Sequence, residues 1–309
     1  MSESREQRVS RKYARKNFST VGLLMVFYVL FILVVPLLFH YYLVQTGSDI
    51  LQDGYLYFGI YFIILLFGTL IPFFIMRKYF RIPLKKFNRS VGASLFDLFI
   101  QTIVCFTICI VLTYVSNMLF AYVGLEGKLV SSIGLTYDEK YLGNIIFIFM
   151  LIIVTPIIEE YAFRGVLLSV LGQYGKNFAL YASAILFALA HLNFSEFLPA
   201  FAMGLLLGKT ALRYRSIKPT ILIHFLFNGI VYLMFILPPY ITKYMAYGFA
   251  ALFVISIYFI LSGIYERVYV QKLSSNQLTY RLFFMRPAVV FCILLLIAKT
   301  FLYMFMAWQ

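Results

Sequence analysis

Charge is the first scarcity in this chain: Asp, Glu, Lys and Arg supply only 12% of its 309 residues, against 63% hydrophobic residues. A soluble domain typically carries about 25% charged and about half apolar residues, so this composition excludes an ordinary water-facing globule. Acidic residues are scarcer still, 12 against 26 Lys and Arg, which leaves a formal net charge of +14. Cysteine and histidine occur three times each. Cys105, Cys109 and Cys292 lie in apolar stretches, where a reduced thiol acts as a small hydrophobe, so neither a disulfide framework nor a cysteine metal site is expected. The sequence also lacks internal repeats, low-complexity linkers and the HExxH pattern of a helical zinc protease.

What is present is hydrocarbon. Mean hydropathy is +0.91, and nine hydrophobic segments fall near 19–46, 55–76, 92–123, 142–172, 177–192, 197–212, 219–237, 244–264 and 287–307. Each approaches the roughly 20 residues that a helix needs to cross a bilayer. The expected fold is all-α, a polytopic transmembrane helical bundle of about eight to nine membrane segments. The segments 177–192 and 197–212 are short for full spans, which leaves a tilted, thinned or re-entrant arrangement open. The apolar run after residue 18 is too long for a signal peptide and lacks a small-residue cleavage site, so it is expected to stay as an anchor.

The basic residues are distributed asymmetrically. With the N terminus in the cytoplasm, 21 Lys and Arg fall on inside segments and three, Lys128, Lys140 and Lys243, on outside loops. This bias predicts an N-in orientation and an attraction to a bilayer with an anionic inner leaflet. No nucleic acid partner is expected, because the cations are dispersed over five segments without a binding module. The expected organisation is a basic cytoplasmic tail at 1–18, N-terminal helices and loops at 19–141, a core at 142–237 and C-terminal helices at 238–309. The loop at 124–141 is the expected partner-binding or variable surface. Asp97 and Gln101 are expected at the membrane interface, and Gly204 and Gly208 to pack closely against another helix. No sequence signature sets the oligomeric state.

The core holds the polar groups that demand an explanation. Glu159 and Glu160 stand side by side in TPIIEEYAFRG, with Arg164 four residues after Glu160. Charges at membrane depth are costly and mark functional sites by default. A four-residue interval places Glu160 and Arg164 on one helix face as an ion pair, while Glu159 points about 100° away, free for another task. His191, in FALAH, and Asn228 with His224, in HFLFN, repeat the four-residue interval. Such a set can activate water by a carboxylate or imidazole and stabilise an oxyanion through His and Asn donors. Taken singly, Glu160 with Arg164 is equally an ion pair that fixes helix packing, and each histidine an interhelical hydrogen bonder.

EEYAFRG matches EExxxRG, FALAH matches FxxxH and HFLFN matches HxxxN, in that order across 159–228. Together these motifs resemble the CPBP family, the membrane proteases that include the CAAX prenyl endopeptidase of Rce1 type and the bacterial Abi proteins. The resemblance implies an α-helical bundle around a cavity and an endopeptidase that cuts a membrane-associated peptide or protein substrate. It implies that Glu159 activates water with His191, that His224 and Asn228 form the oxyanion site, and that Glu160 and Arg164 complete the carboxylate helix. Zinc is a second use of the same groups: Glu159, His191 and His224 offer two imidazoles and a carboxylate, with a position left for water. Spacing does not separate that use from a metal-free site. Helix arithmetic places His191 nearer the outer end than Glu159, so 177–192 must start deeper or tilt if the two meet.

The expected location is a bacterial cell membrane. A different class remains open beside the protease, a non-proteolytic scaffold or bacteriocin-immunity protein that keeps the polar core for structure. A proton-coupled transporter is a weaker third, lacking the inverted repeats of that class.

Overall fold

A computed structural model describes residues 5–51, 54–83, 94–122, 148–191, 194–262 and 277–306. The described residues are helical with no β-strand, and the protein is an integral membrane protein with an all-α bundle. Among the described residues, three helices are long and apolar enough to cross a membrane: Ser10–Thr46, Gly59–Tyr79 and Leu95–Tyr122. They belong to α1 (Arg5–Thr46), α2 (Gly54–Tyr79) and α3 (Leu95–Tyr122). α1 begins within the basic tail, and Pro36 and Pro72 sit inside α1 and α2. Neighbouring helices and local adjustments re-satisfy the backbone group that such a proline frees.

The fourth helical segment, α4, changes pitch repeatedly. It runs through a π-helical stretch (Met150–Val154), an α-helical one (Thr155–Glu159), a second π-helical stretch (Glu160–Leu167) and a final α-helical turn (Leu168–Leu171). After the 3₁₀ turn Gly172–Tyr174, Gly175 takes φ 133° and starts α5 (Lys176–Ala190). That backbone angle favours a residue without a Cβ. Then come α6 (Phe194–Tyr214), α7 (Lys218–Ile236), α8 (Pro239–Leu261), α9 (Gln277–Phe284) and α10 (Pro287–Met306).

Among the described residues there are three clear spans, or four if the pair Leu278–Phe284 and Pro287–Ala298, bent by 66°, counts as one, and the shorter apolar helices beside them are consistent with the expected polytopic bundle. Lys176–Ala190, Lys218–Met234 and Tyr247–Leu261 are apolar but shorter. The expected partner-binding loop at 124–141 and the start of the 142–172 segment lie outside the described residues.

Two packed regions hold the bundle together. One joins α1, α2, α4, α5, α9 and α10, with Phe18 in aromatic contact with Tyr174, Phe178 and Phe283. The other joins α3, α6 and α7 through Cys105, Cys109, Leu207 and Ile223. In lipid, helix association rests on close packing and interhelical hydrogen bonds, because hydrocarbon surrounds the helices already. Gly204 supplies the close packing, since a Cβ there would meet Cα and Cβ of Ala184 on α5 at 2.9 Å. Gly208 does the same against Leu180, at 2.6 Å from Cδ1. Gln101 corrects the interfacial expectation. It is buried, donates from Nε2 to the Tyr214 hydroxyl at 2.9 Å and accepts from Thr210 at 2.7 Å, which ties α3 to α6. Asp97 remains partly exposed, 3.6 Å from Arg213.

Candidate active site

Glu159 closes the α-helical stretch of α4 and Glu160 opens the π-helical one. Their backbones remain regular, φ −66° and ψ −42° at Glu159, φ −66° and ψ −38° at Glu160, so the two carboxylates diverge by about 100°. The Glu160 side chain is 0% exposed, while that of Glu159 is 27% exposed. Glu159 lines a cavity of about 220 Å³ between α1, α2, α4 and the end of α5.

Glu160 anchors a buried cluster. Its Oε1 lies 2.8 Å from Nη1 of Arg164 and 2.9 Å from Nδ1 of His224. A carboxylate accepts, so Nδ1 of His224 carries the hydrogen. The opposite nitrogen, Nε2, faces Oε2 of Glu159 across 3.8 Å. His224 therefore bridges the two carboxylates. Thr220 lies beside Glu160, but its hydroxyl donates to the Ile217 carbonyl at 2.8 Å, and Oε2 of Glu160 has no protein donor.

Phe187 organises the remaining members. The Arg164 guanidinium lies over its ring at 4.0 Å, so the ring quadrupole faces a cation whose Nη groups have no aligned acceptor among the described residues. The rings of His191 and His224 approach Phe187 edge-on, at 4.7 Å and 6.2 Å between centroids. Nδ1 of His191 lies 2.9 Å from the Phe187 carbonyl. A carbonyl only accepts, so Nδ1 donates and Nε2 is left as an acceptor.

His191 stands at the end of a short helix. α5 has 15 residues, about 22 Å of rise, which is less than the roughly 30 Å of a bilayer core. His191 follows directly on Ala190, which lines the Glu159 cavity.

Asn228 is positioned by a proline. In the π-helical stretch the Thr155 N–H bonds to the Met150 carbonyl. The next amide in an i→i+5 pattern, which the Leu151 carbonyl needs, would come from Pro156, which has none. Nδ2 of Asn228 donates to that Leu151 carbonyl at 3.0 Å. One amide hydrogen is so engaged and the second remains available. Leu151 and Pro156 are not among the residues the motifs single out, although the proline three residues before Glu159 was the available signal. Tyr28 and Thr69, which line the Glu159 cavity, had no local signal at all.

The structure thus brings Glu159, Glu160, Arg164 and His224 into direct proximity, with His191 joined through Phe187 and Asn228 through Leu151. It does not assemble the zinc ligand set that the spacing left open beside a metal-free site. Among the described residues no group of three or more His, Cys, Asp and Glu is placed to hold a metal ion, and the Phe187 ring packs against both imidazoles. Glu159, His191 and His224 do not fit zinc in this arrangement.

All three motifs lie within residues 141–230, which match the family described as type II CAAX prenyl endopeptidase Rce1-like. Residues 141–230 are thus similar to the Rce1-like membrane endopeptidases. The protein described as membrane-embedded CAAX protease MroQ, from Staphylococcus aureus (strain USA300), is 35% identical over 106 residues, covering 32% of this chain and 42% of that protein. The similarity thus spans less than half of the relative's length. No solved structure matches the chain. α1, α2, α3 and the helices after α7 lie outside the family match, so the matched region meets α1 and α2 along the Glu159 cavity.

Proposed function

We propose that this protein is an intramembrane endopeptidase that hydrolyses a peptide bond of a membrane-associated peptide or protein. The observation that carries the reading is the position of Glu159, whose carboxylate opens on the cavity while standing 3.8 Å from His224 Nε2. Buried Glu160 holds the far side of that ring.

In the proposed reaction Oε2 of Glu159 takes a proton from water, assisted by the free Nε2 of His191, and the hydroxide adds to the carbonyl carbon. The oxyanion accepts hydrogen bonds from the unengaged Asn228 N–H and from His224 Nε2–H. That role needs a hydrogen on both nitrogens of His224, and carboxylates at 2.9 Å and 3.8 Å flank the ring to compensate the charge. Collapse breaks the C–N bond, and the proton held by Glu159 passes to the departing amine. The basic asymmetry supports an N-terminus in the cytoplasm of a bacterial cell and contact with an anionic inner leaflet.

The test uses purified protein in lipid nanodiscs and a peptide library, with and without prenyl groups, in H₂¹⁸O. The reading expects ¹⁸O in one new carboxyl terminus at a fixed position. Intact peptides from folded protein would favour the scaffold or immunity reading, in which the Glu160–Arg164–His224 cluster serves packing alone.

A further inference from the structure

More than half of the residues lining the Glu159 cavity come from α1 and α2, outside the family match at 141–230. Tyr28 and Ile32 project from α1, and Leu65, Leu66 and Thr69 from α2, facing Val154, Ile158 and Glu159 of α4. The Tyr28 ring is fixed edge-on against Phe73 at 5.4 Å and Phe163 at 6.3 Å. Its side chain shares the cavity lining with Thr69 and Glu159. Thr69 in turn donates to the Leu65 carbonyl at 3.0 Å, which orients its oxygen as an acceptor.

We infer that this α1 and α2 wall is the specificity subsite of the proposed protease, and that it receives one large aliphatic or aromatic side chain next to the scissile bond of an unprenylated peptide. The inference rests on the reading of Glu159 as the water-activating group. Volume sets the size, since a cavity of about 150 Å³ takes a benzene ring and one of about 220 Å³ takes a single large side chain beside the attacking water. A prenyl chain of several isoprene units would extend beyond it. Charge sets the class. The cavity lining includes Glu159 and hydroxyl groups but no Lys, Arg or His, so an acidic side chain or a free terminal carboxylate would meet Glu159 with no cation in the lining to pair with it. The subsite therefore selects an internal bond flanked by a hydrocarbon side chain. Tyr28 and Thr69 are its positioning residues, with oxygens placed to accept substrate backbone N–H groups.

The experiment measures kcat/KM in nanodiscs for peptides that carry Ala, Leu, Phe or Glu in turn at each position flanking the cleavage site, with prenylated versions of the best. Wild type should prefer Leu or Phe over Ala by roughly 10-fold or more at one position, should reject Glu there, and should gain nothing from the prenyl group. Leu65→Phe should shift that preference towards Ala, and Leu65→Ala should shift it towards Phe. Opposite shifts from two variants of one residue are a readout that misfolding does not produce. If wild type cleaves in a Glu159-dependent way but both variants keep its size preference, or if prenylation raises kcat/KM by 10-fold, the subsite assignment is overturned and the protease reading stands. If wild type cleaves no peptide, both are overturned.

Discussion

Oε1 of Glu160 stands 2.9 Å from Nδ1 of His224 and 2.8 Å from Nη1 of Arg164, so one buried oxygen joins α4 to α7 and neutralises a guanidinium. Its neighbour in sequence, Glu159, has neither contact with Arg164 at that distance nor that burial. Two adjacent glutamates thus have separable tasks, one holding the bundle and one facing the cavity.

Stability should divide them. Removing one partner of a buried ion pair leaves an uncompensated charge and costs about 3–5 kcal/mol. Glu160→Ala should destabilise the protein on that scale, followed by unfolding in detergent micelles, because Arg164 loses its counter-ion and keeps only the face of Phe187. Glu159→Ala should move the same transition by less than about 1 kcal/mol, because its carboxylate is partly exposed and stands 3.8 Å from His224 without a hydrogen bond.

Pro156→Ala should act at a distance from the chemistry. The new amide supplies the Leu151 carbonyl with a backbone donor and competes with Asn228 for it. The expected result is a fall in kcat, approaching the roughly 10²-fold loss of an oxyanion donor, with little change in KM. Combined with Asn228→Ala the losses should fail to add, because both act on one donor. Additive losses would separate the proline from the asparagine.

Chelators should leave turnover unchanged. Glu159, His191 and His224 are not grouped for a metal ion, so cleavage measured with and without a zinc chelator should proceed at one rate. Loss of activity with chelator, restored by zinc, would require these donors to rearrange.

The motif residues were legible because their four-residue intervals fix a helical face whatever surrounds them. Glu160 and Arg164 pair as that interval demands, and the divergence of Glu159 survives because the backbone at 159–160 stays in the right-handed helical region. Gly204 was legible on the same ground, as a small residue where two backbones approach. Segment lengths were less so. Hydropathy marks which residues avoid water but does not mark where a buried helix stops short, and α5 stops at Ala190, which places His191 beside the cavity. The π-helical stretches were not legible, although Pro156 held a clue to the orphaned Leu151 carbonyl. Gln101 was misplaced because its partners, Tyr214 and Thr210, are more than a hundred residues away. Tyr28 and Thr69 escaped for the same reason, as tertiary neighbours of Glu159 with no local pattern.

The most direct measurement of the central claim is single-turnover cleavage in nanodiscs by wild type and by Glu159→Gln, on the best peptide from the library. The substitution keeps the shape of the side chain and removes its ability to take a proton from water. The account predicts a rate lower by about 10²–10⁴-fold, the usual contribution of a general base, with substrate affinity and unfolding transition near those of wild type. Cleavage by Glu159→Gln at the wild-type rate would contradict it and would move the chemistry away from the carboxylate that faces the cavity.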